Sequence, residues 1–98
     1  MRLRQNIKEQ IIKYSMKHFG DKVQLYLFGS RVSSQKKGGD IDLFLDAEYE
    51  VDIQEQISFL RDIYKYVTQR KVDLLVKTPQ KKGLAIFETA KREGILLC

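Results

Sequence analysis

Apolar residues recur at steps of four and three near the start of the chain, where Leu3, Ile7, Ile11, Tyr14 and His18 share one stripe and Gly20 follows. That spacing predicts a helix stopped by a glycine. "VQLYLF", Val23 to Phe28, sets Val23, Leu25 and Leu27 against Gln24, Tyr26 and Phe28, the alternation of a strand with both faces at least partly covered. Gly29-Ser30 ends it, Ser30 is placed to N-cap a short helical turn, and "SSQKKGG" reads as a loop. "DIDLFLD", from Asp40, alternates again, with Ile41, Leu43 and Leu45 on one face and Asp40, Asp42 and Phe44 on the other. "DIQEQISFLRDIYKYV" opens on an Asp-x-x-Glu capping pattern, Asp52 and Glu55, and carries Ile53, Ile57, Leu60, Tyr64 and Val67 at helical spacing. "KVDLLV" is a third strand, with Val72, Leu74 and Val76 on one face and Asp73 and Leu75 on the other. Thr78-Pro79 reads as N-cap and N1 of a last helix, which Gly94 stops before the apolar "ILLC".

The order is therefore α-β-α-β-α-β-α, an α+β or two-layered α/β class with a small mixed sheet of about three to four strands. The second strand follows the first too closely for a crossover helix of full length, which favours antiparallel pairing between them. With 98 residues the chain reads as one domain, residues 1–98, with no separate substrate domain. Its composition, 43% hydrophobic and 32% charged, is that of a folded globular protein. One cysteine, Cys98, excludes an internal disulfide and offers no thiolate cluster for zinc, which suits a reducing, cytoplasmic compartment. No run approaches the roughly 20 apolar residues of a membrane span.

The net charge of +5 is unevenly spread: residues 1–20 carry +4, 21–50 carry −2, 51–70 carry 0 and 71–98 carry +3. The basic excess suits a phosphate-bearing ligand. It sits on several elements, and solvated helix faces account for most of it, so direct nucleic-acid binding is not expected.

Acids inside strands ask for a reason. Asp40 and Asp42, two apart on a strand, share a face with Cα atoms about 6.6 Å apart, and a cation between them removes their repulsion. An oxygen-only donor set of this kind suits magnesium, which takes a few carboxylates plus water and phosphate. Asp73 interrupts its own strand in the same way. If its strand neighbours the other, three carboxylates meet and can hold two metal ions about 3.5–4 Å apart, as in-line phosphoryl or nucleotidyl displacement requires. The plainer reading leaves Asp40 at a strand entrance, Asp42 solvated and Asp73 paired with Lys71 or Arg70. Gly29-Ser30, alone an ordinary turn, stands at a strand end where backbone N–H groups and a hydroxyl can meet phosphate.

Gly29-Ser30, nine intervening residues, Asp40-Ile41-Asp42 and a later Asp73 together resemble the signature of the DNA polymerase β-like nucleotidyltransferase superfamily, and within it the minimal nucleotidyltransferase (MNT) proteins of MNT/HEPN antitoxin type. The resemblance implies transfer of a nucleoside monophosphate, AMP from ATP, to a hydroxyl of a partner protein. It implies that Asp40, Asp42 and Asp73 are catalytic and hold two Mg²⁺ ions, and that Gly29, Ser30 and Arg31 bind the nucleotide phosphates. It also implies a helical HEPN-family partner, toxin to this chain's antitoxin, and leaves a homodimer open. Ser33-Ser34 stands where MNT proteins often have a glycine, and Gly39 where they often have a serine; both departures bear on substrate fit. Tyr49, Tyr64 and Tyr66 are available as self-modification sites, and His18 reads as a packed histidine. The competing reading is a non-catalytic module that neutralises a HEPN-type partner; three converging carboxylates and the Gly-Ser favour the enzyme.

Overall fold

The computed structural model describes residues 5–28, 41–81, 83 and 85–98. Leu3, the turn expected after Ser30, the loop from Ser33 to Gly39, and the site candidates Gly29, Ser30, Arg31 and Asp40 lie outside the described residues. The described elements are α1 (Gln5–Phe19), β1 (Val23–Phe28), β2 (Ile41–Ala47), α2 (Ile53–Tyr66), β3 (Val72–Lys77), α3 (Ala85–Glu93) and β4 (Ile95–Leu96). α1 ends as its glycine requires: Gly20 takes φ +75°, a left-handed conformation that favours glycine, and its N–H donates to Met16 O at 3.0 Å.

The strands form one mixed sheet in the order β3-β2-β1-β4. β1 and β2 are antiparallel, β2 and β3 are parallel, and β4 lies antiparallel to β1. α2 is the crossover that the parallel pair needs. Alternation sorts the strand side chains into two apolar layers. Leu25, Leu27, Ile41, Leu43 and Leu45 face α1 and α2 and join Ile11, Phe19, Phe59 and Ile63 in the main core. Tyr26 and Phe44 face the other way and pack with Phe87 and Ala90 of α3. The rings of Phe19 and Phe59 lie 5.1 Å apart and those of Phe44 and Phe87 5.7 Å apart, so each helix layer is anchored by aromatic contact.

Several local expectations change. Thr78-Pro79 does not start the last helix: Thr78 bridges to Lys81 across a tight turn, and the helix begins at Ala85. The apolar "ILLC" segment supplies a fourth strand, because Ile95 and Leu96 pair with Leu27 and Tyr26 as β4. Asp52 does cap α2, accepting from the Gln54 N–H at 3.0 Å, but Glu55 turns away to His18, so the capping box is only half made. The apolar stripe of α2 is also displaced. Phe59 and Ile63 are buried, whereas Ile53 and Ile57 are 60% and 49% exposed.

Candidate functional site

The parallel register of β2 and β3 sets Asp42 directly beside Asp73, then Phe44 beside Leu75 and Asp46 beside Lys77. Neighbouring strands lie about 4.7–4.9 Å apart, so Asp42 and Asp73 stand side by side. The structure thus brings together two of the three acids expected at the site, on the sheet face that also carries Phe44 and α3. On the other side of β2, Phe28 is the register partner of Asp42, and Phe28 is the residue that precedes Gly29-Ser30 in sequence.

The two acids differ in surroundings. Asp42 sits on an inner strand and is half-buried, while the Asp73 side chain is 52% exposed and has Lys71 Nζ at 3.9 Å. That ion pair is long and solvated, and such pairs contribute little. It leaves the Asp73 carboxylate available to a stronger cation. Adjacent like charges on neighbouring strands are unfavourable in themselves, and an oxygen-only donor pair is the kind of set a hard divalent ion prefers. The residues present therefore fit Mg²⁺. Among the described residues, no group of three or more potential ligands converges; Asp40, the third acid, lies outside them.

Beyond the acids the same face carries a feature that sequence reasoning missed. Asp46, four residues on from Asp42 and on the same side of β2, holds Lys77 Nζ and Lys91 Nζ at 3.4 Å each, with its own side chain 13% exposed. This bridge ties β3 and α3 to β2. It also forms a shared wall between two cavities, one of about 650 Å³ lined by Phe44, Gly83, Phe87 and Glu88 and one of about 560 Å³ reaching Lys22 and Thr78. The first starts at Phe44, one side-chain step along the face from Asp42, and its size is ordinary for a small-molecule site. Asp46 continues the Asp40, Asp42 alternation, which is the signal that could have exposed it.

The other singled-out residues have structural positions. His18 is gripped on both ring nitrogens, by Glu55 Oε2 at 2.5 Å and Asp62 Oδ2 at 2.7 Å, and so clasps α1 to α2. The hydrogen bond from His18 is the main reason the Asp62 carboxyl lies below the usual range, with Lys17 adding to the effect and burial opposing it. The Tyr64 hydroxyl donates to Val72 O and accepts from the Val72 N–H, and the Tyr49 hydroxyl donates to Phe19 O. Tyr66 stacks on Tyr14 at 6.0 Å.

Comparison with known proteins bears on the family and the fold. The family model "Polymerase beta, Nucleotidyltransferase" matches residues 9–98. Among solved structures, a toxin-antitoxin with AMP-PNP superposes with a TM-score of 0.71 at 20% identity over 93% of this chain and 72% of that one. A mutant of the toxin-antitoxin MntA-HpeT gives 0.70 at 21% identity, over 93% of this chain and 71% of the other. The toxin-antitoxin MntA-HepT gives 0.68 at 20%, over 97% and 72% respectively. These similarities show a shared fold. No curated protein matches the sequence.

Proposed function

The chain belongs to the polymerase beta nucleotidyltransferase family, and from that premise we propose that it transfers AMP from ATP to a hydroxyl of a partner protein, as the antitoxin of a HEPN toxin pair. The observation that carries the reading is the register of Asp42 against Asp73 on the sheet face that also carries Phe44 and α3. The toxin-antitoxin complexes among the structural neighbours, one of them with AMP-PNP, support the choice of nucleotide and of partner.

In this mechanism Asp42 and Asp73, with Asp40, hold Mg²⁺, which when bound screens the triphosphate charge and supports in-line displacement. Asp42, fixed on an inner strand, sets the position of the α-phosphate relative to the acceptor. Asp73, the more exposed of the two, would hold the ion nearest the acceptor hydroxyl. Gly29, Ser30 and Arg31 complete the proposal as the phosphate-binding segment, by their place in the sequence after Phe28. Attack by the acceptor oxygen on the α-phosphorus, its hydroxyl proton passing to solvent, breaks the bond from phosphorus to the bridging oxygen and releases pyrophosphate.

The test is calorimetric titration of the purified protein with each NTP in Mg²⁺, for wild type, Asp42→Asn and Asp73→Asn, followed by transfer from radiolabelled ATP to a copurified partner. Metal-dependent ATP binding and transfer, both lost in the variants, support the proposal. Partner neutralisation that survives in both variants without any transfer overturns it in favour of a non-catalytic module.

A further inference from the structure

We propose that the outer edge of β3 is a self-association surface, pairing antiparallel with β3 of a second copy about a twofold axis at Leu75. One hydrogen bond sets the direction of the edge. The Ile41 N–H donates to Lys71 O at 2.8 Å, so the backbone groups of Lys71, Asp73 and Leu75 point toward β2, and those of Val72, Leu74 and Val76 point away. β3 is terminal in the sheet order, and no described strand lies beyond it. The outward groups of Val72 are already taken by the Tyr64 hydroxyl at 2.8 and 3.2 Å. Among the described residues, Leu74 and Val76 therefore present the open part of the edge, the kind of surface proteins cover or pair.

The residues along that edge select a second copy as the occupant. Antiparallel pairing requires outward residues to face outward residues, which confines the twofold axis to a residue position and excludes positions between residues. With the axis at Leu75, Leu74 faces Val76 of the second copy, and Asp73 faces Lys77 of the second copy, each twice. An axis at Leu74 would put Asp73 opposite Leu75, and an axis at Val76 would put Lys77 opposite Leu75. Only the Leu75 register matches both charges with their opposites, and opposite charges on facing strands stabilise the pair.

A separate feature lies on the same side of the molecule. Ile53, Ile57 and Tyr64 are 60%, 49% and 39% exposed, on the flank of α2 turned away from α1. The Tyr64–Val72 hydrogen bonds show that this flank overlies β3. In the dimer the α2 flank of each copy covers that of the other, and the four-stranded sheet becomes a continuous one of twice that number. The pairing sets Lys77 of the second copy beside Asp73, while Asp46 keeps Lys91 as its own cation.

Sedimentation velocity on the full chain tests this, with a charge swap as the discriminating arm. Wild type should sediment at twice the 11.5 kDa chain mass. Asp73→Lys and Lys77→Asp should each weaken self-association by about tenfold or more, because like charges then face each other twice. Mixing the two variants should restore the dimer, since an edge with two lysines then meets one with two aspartates. Ile57→Lys, on an exposed helix flank, should weaken the dimer with the far-UV circular dichroism unchanged, and it carries the test if either charge reversal fails to fold. A monomeric wild type, a dimer indifferent to Ile57→Lys, or a folded variant mixture that stays monomeric would each overturn the proposal.

Discussion

Removing one oxygen tests how the edge of the site is held. The Tyr64 hydroxyl accepts from the Val72 N–H at 2.8 Å and donates to Val72 O at 3.2 Å, so one side chain satisfies both backbone groups at the first residue of β3. Tyr64→Phe deletes both bonds and leaves the ring in place. Each such bond is worth about 0.5–1.5 kcal/mol net. Val72 itself is buried, 5% exposed, so the freed groups are poorly solvated and the loss falls toward the upper end, about 2–3 kcal/mol in all. For a 98-residue chain that corresponds to a fall in Tm of about 10–20 °C. The effect should be local as well as global. Hydrogen exchange at the Val72 amide should accelerate more than at Leu43 or Leu45 in the middle of the sheet, and AMP transfer should fall beyond the stability loss because Asp73 is the next residue. Scanning calorimetry and amide exchange read both quantities. A Tm within about 1 °C of wild type, with unchanged exchange at Val72, would refute the reasoning that this hydroxyl anchors the strand.

Further expectations are independent of that one. Gly94→Ala should destabilise by about 1–3 kcal/mol through overpacking, because an added Cβ would lie 2.4 Å from Ala90 O and 3.2 Å from Tyr26 Cβ; urea denaturation checks it, and a neutral result would show that α3 can shift away from β1. Asp62 contributes stability above its unfolded pKa of about 3.9, and that contribution is lost as pH falls through the lowered folded value, so the Tm difference between wild type and Asp62→Asn should close in acid. Burial pushes the Cys98 thiol up, so at pH 8 it should react with a disulfide reagent more slowly than an unfolded control. Asp73→Asn should cut transfer by about a hundredfold or more with the far-UV circular dichroism unchanged, as measured with labelled ATP.

The local elements were legible because each carries its own period. The alternation in "VQLYLF" and "DIDLFLD" defines strands whether or not their neighbours are known, and β1 and β2 occupy those segments. Short signals shared between structures were less decisive. Thr78-Pro79 suits a helix start and a tight turn equally, and the turn prevails because Thr78 pairs with Lys81. "ILLC" has too little length to declare a strand, and becomes one only because β1 offers Tyr26 and Leu27 an unfilled side. On α2, two overlapping stripes are both apolar, and periodicity cannot say which of them meets the core. Contact with α1 chooses the one through Phe59 and Ile63.

The same division holds for the site. Sequence alone determined that acids interrupt the apolar runs around Asp42 and Asp73, since alternation assigns their faces and composition leaves no cysteine cluster to compete for a metal. It could not decide that these strands are neighbours, that they run parallel, or that Asp42 falls opposite Asp73 and not two residues away. Those are outcomes of sheet order and register, where a shift of one residue would turn every side chain to the other face. Tertiary structure alone likewise drew Asp46, Lys77 and Lys91 together from β2, β3 and α3, because residues so far apart in the chain have no local period to connect them.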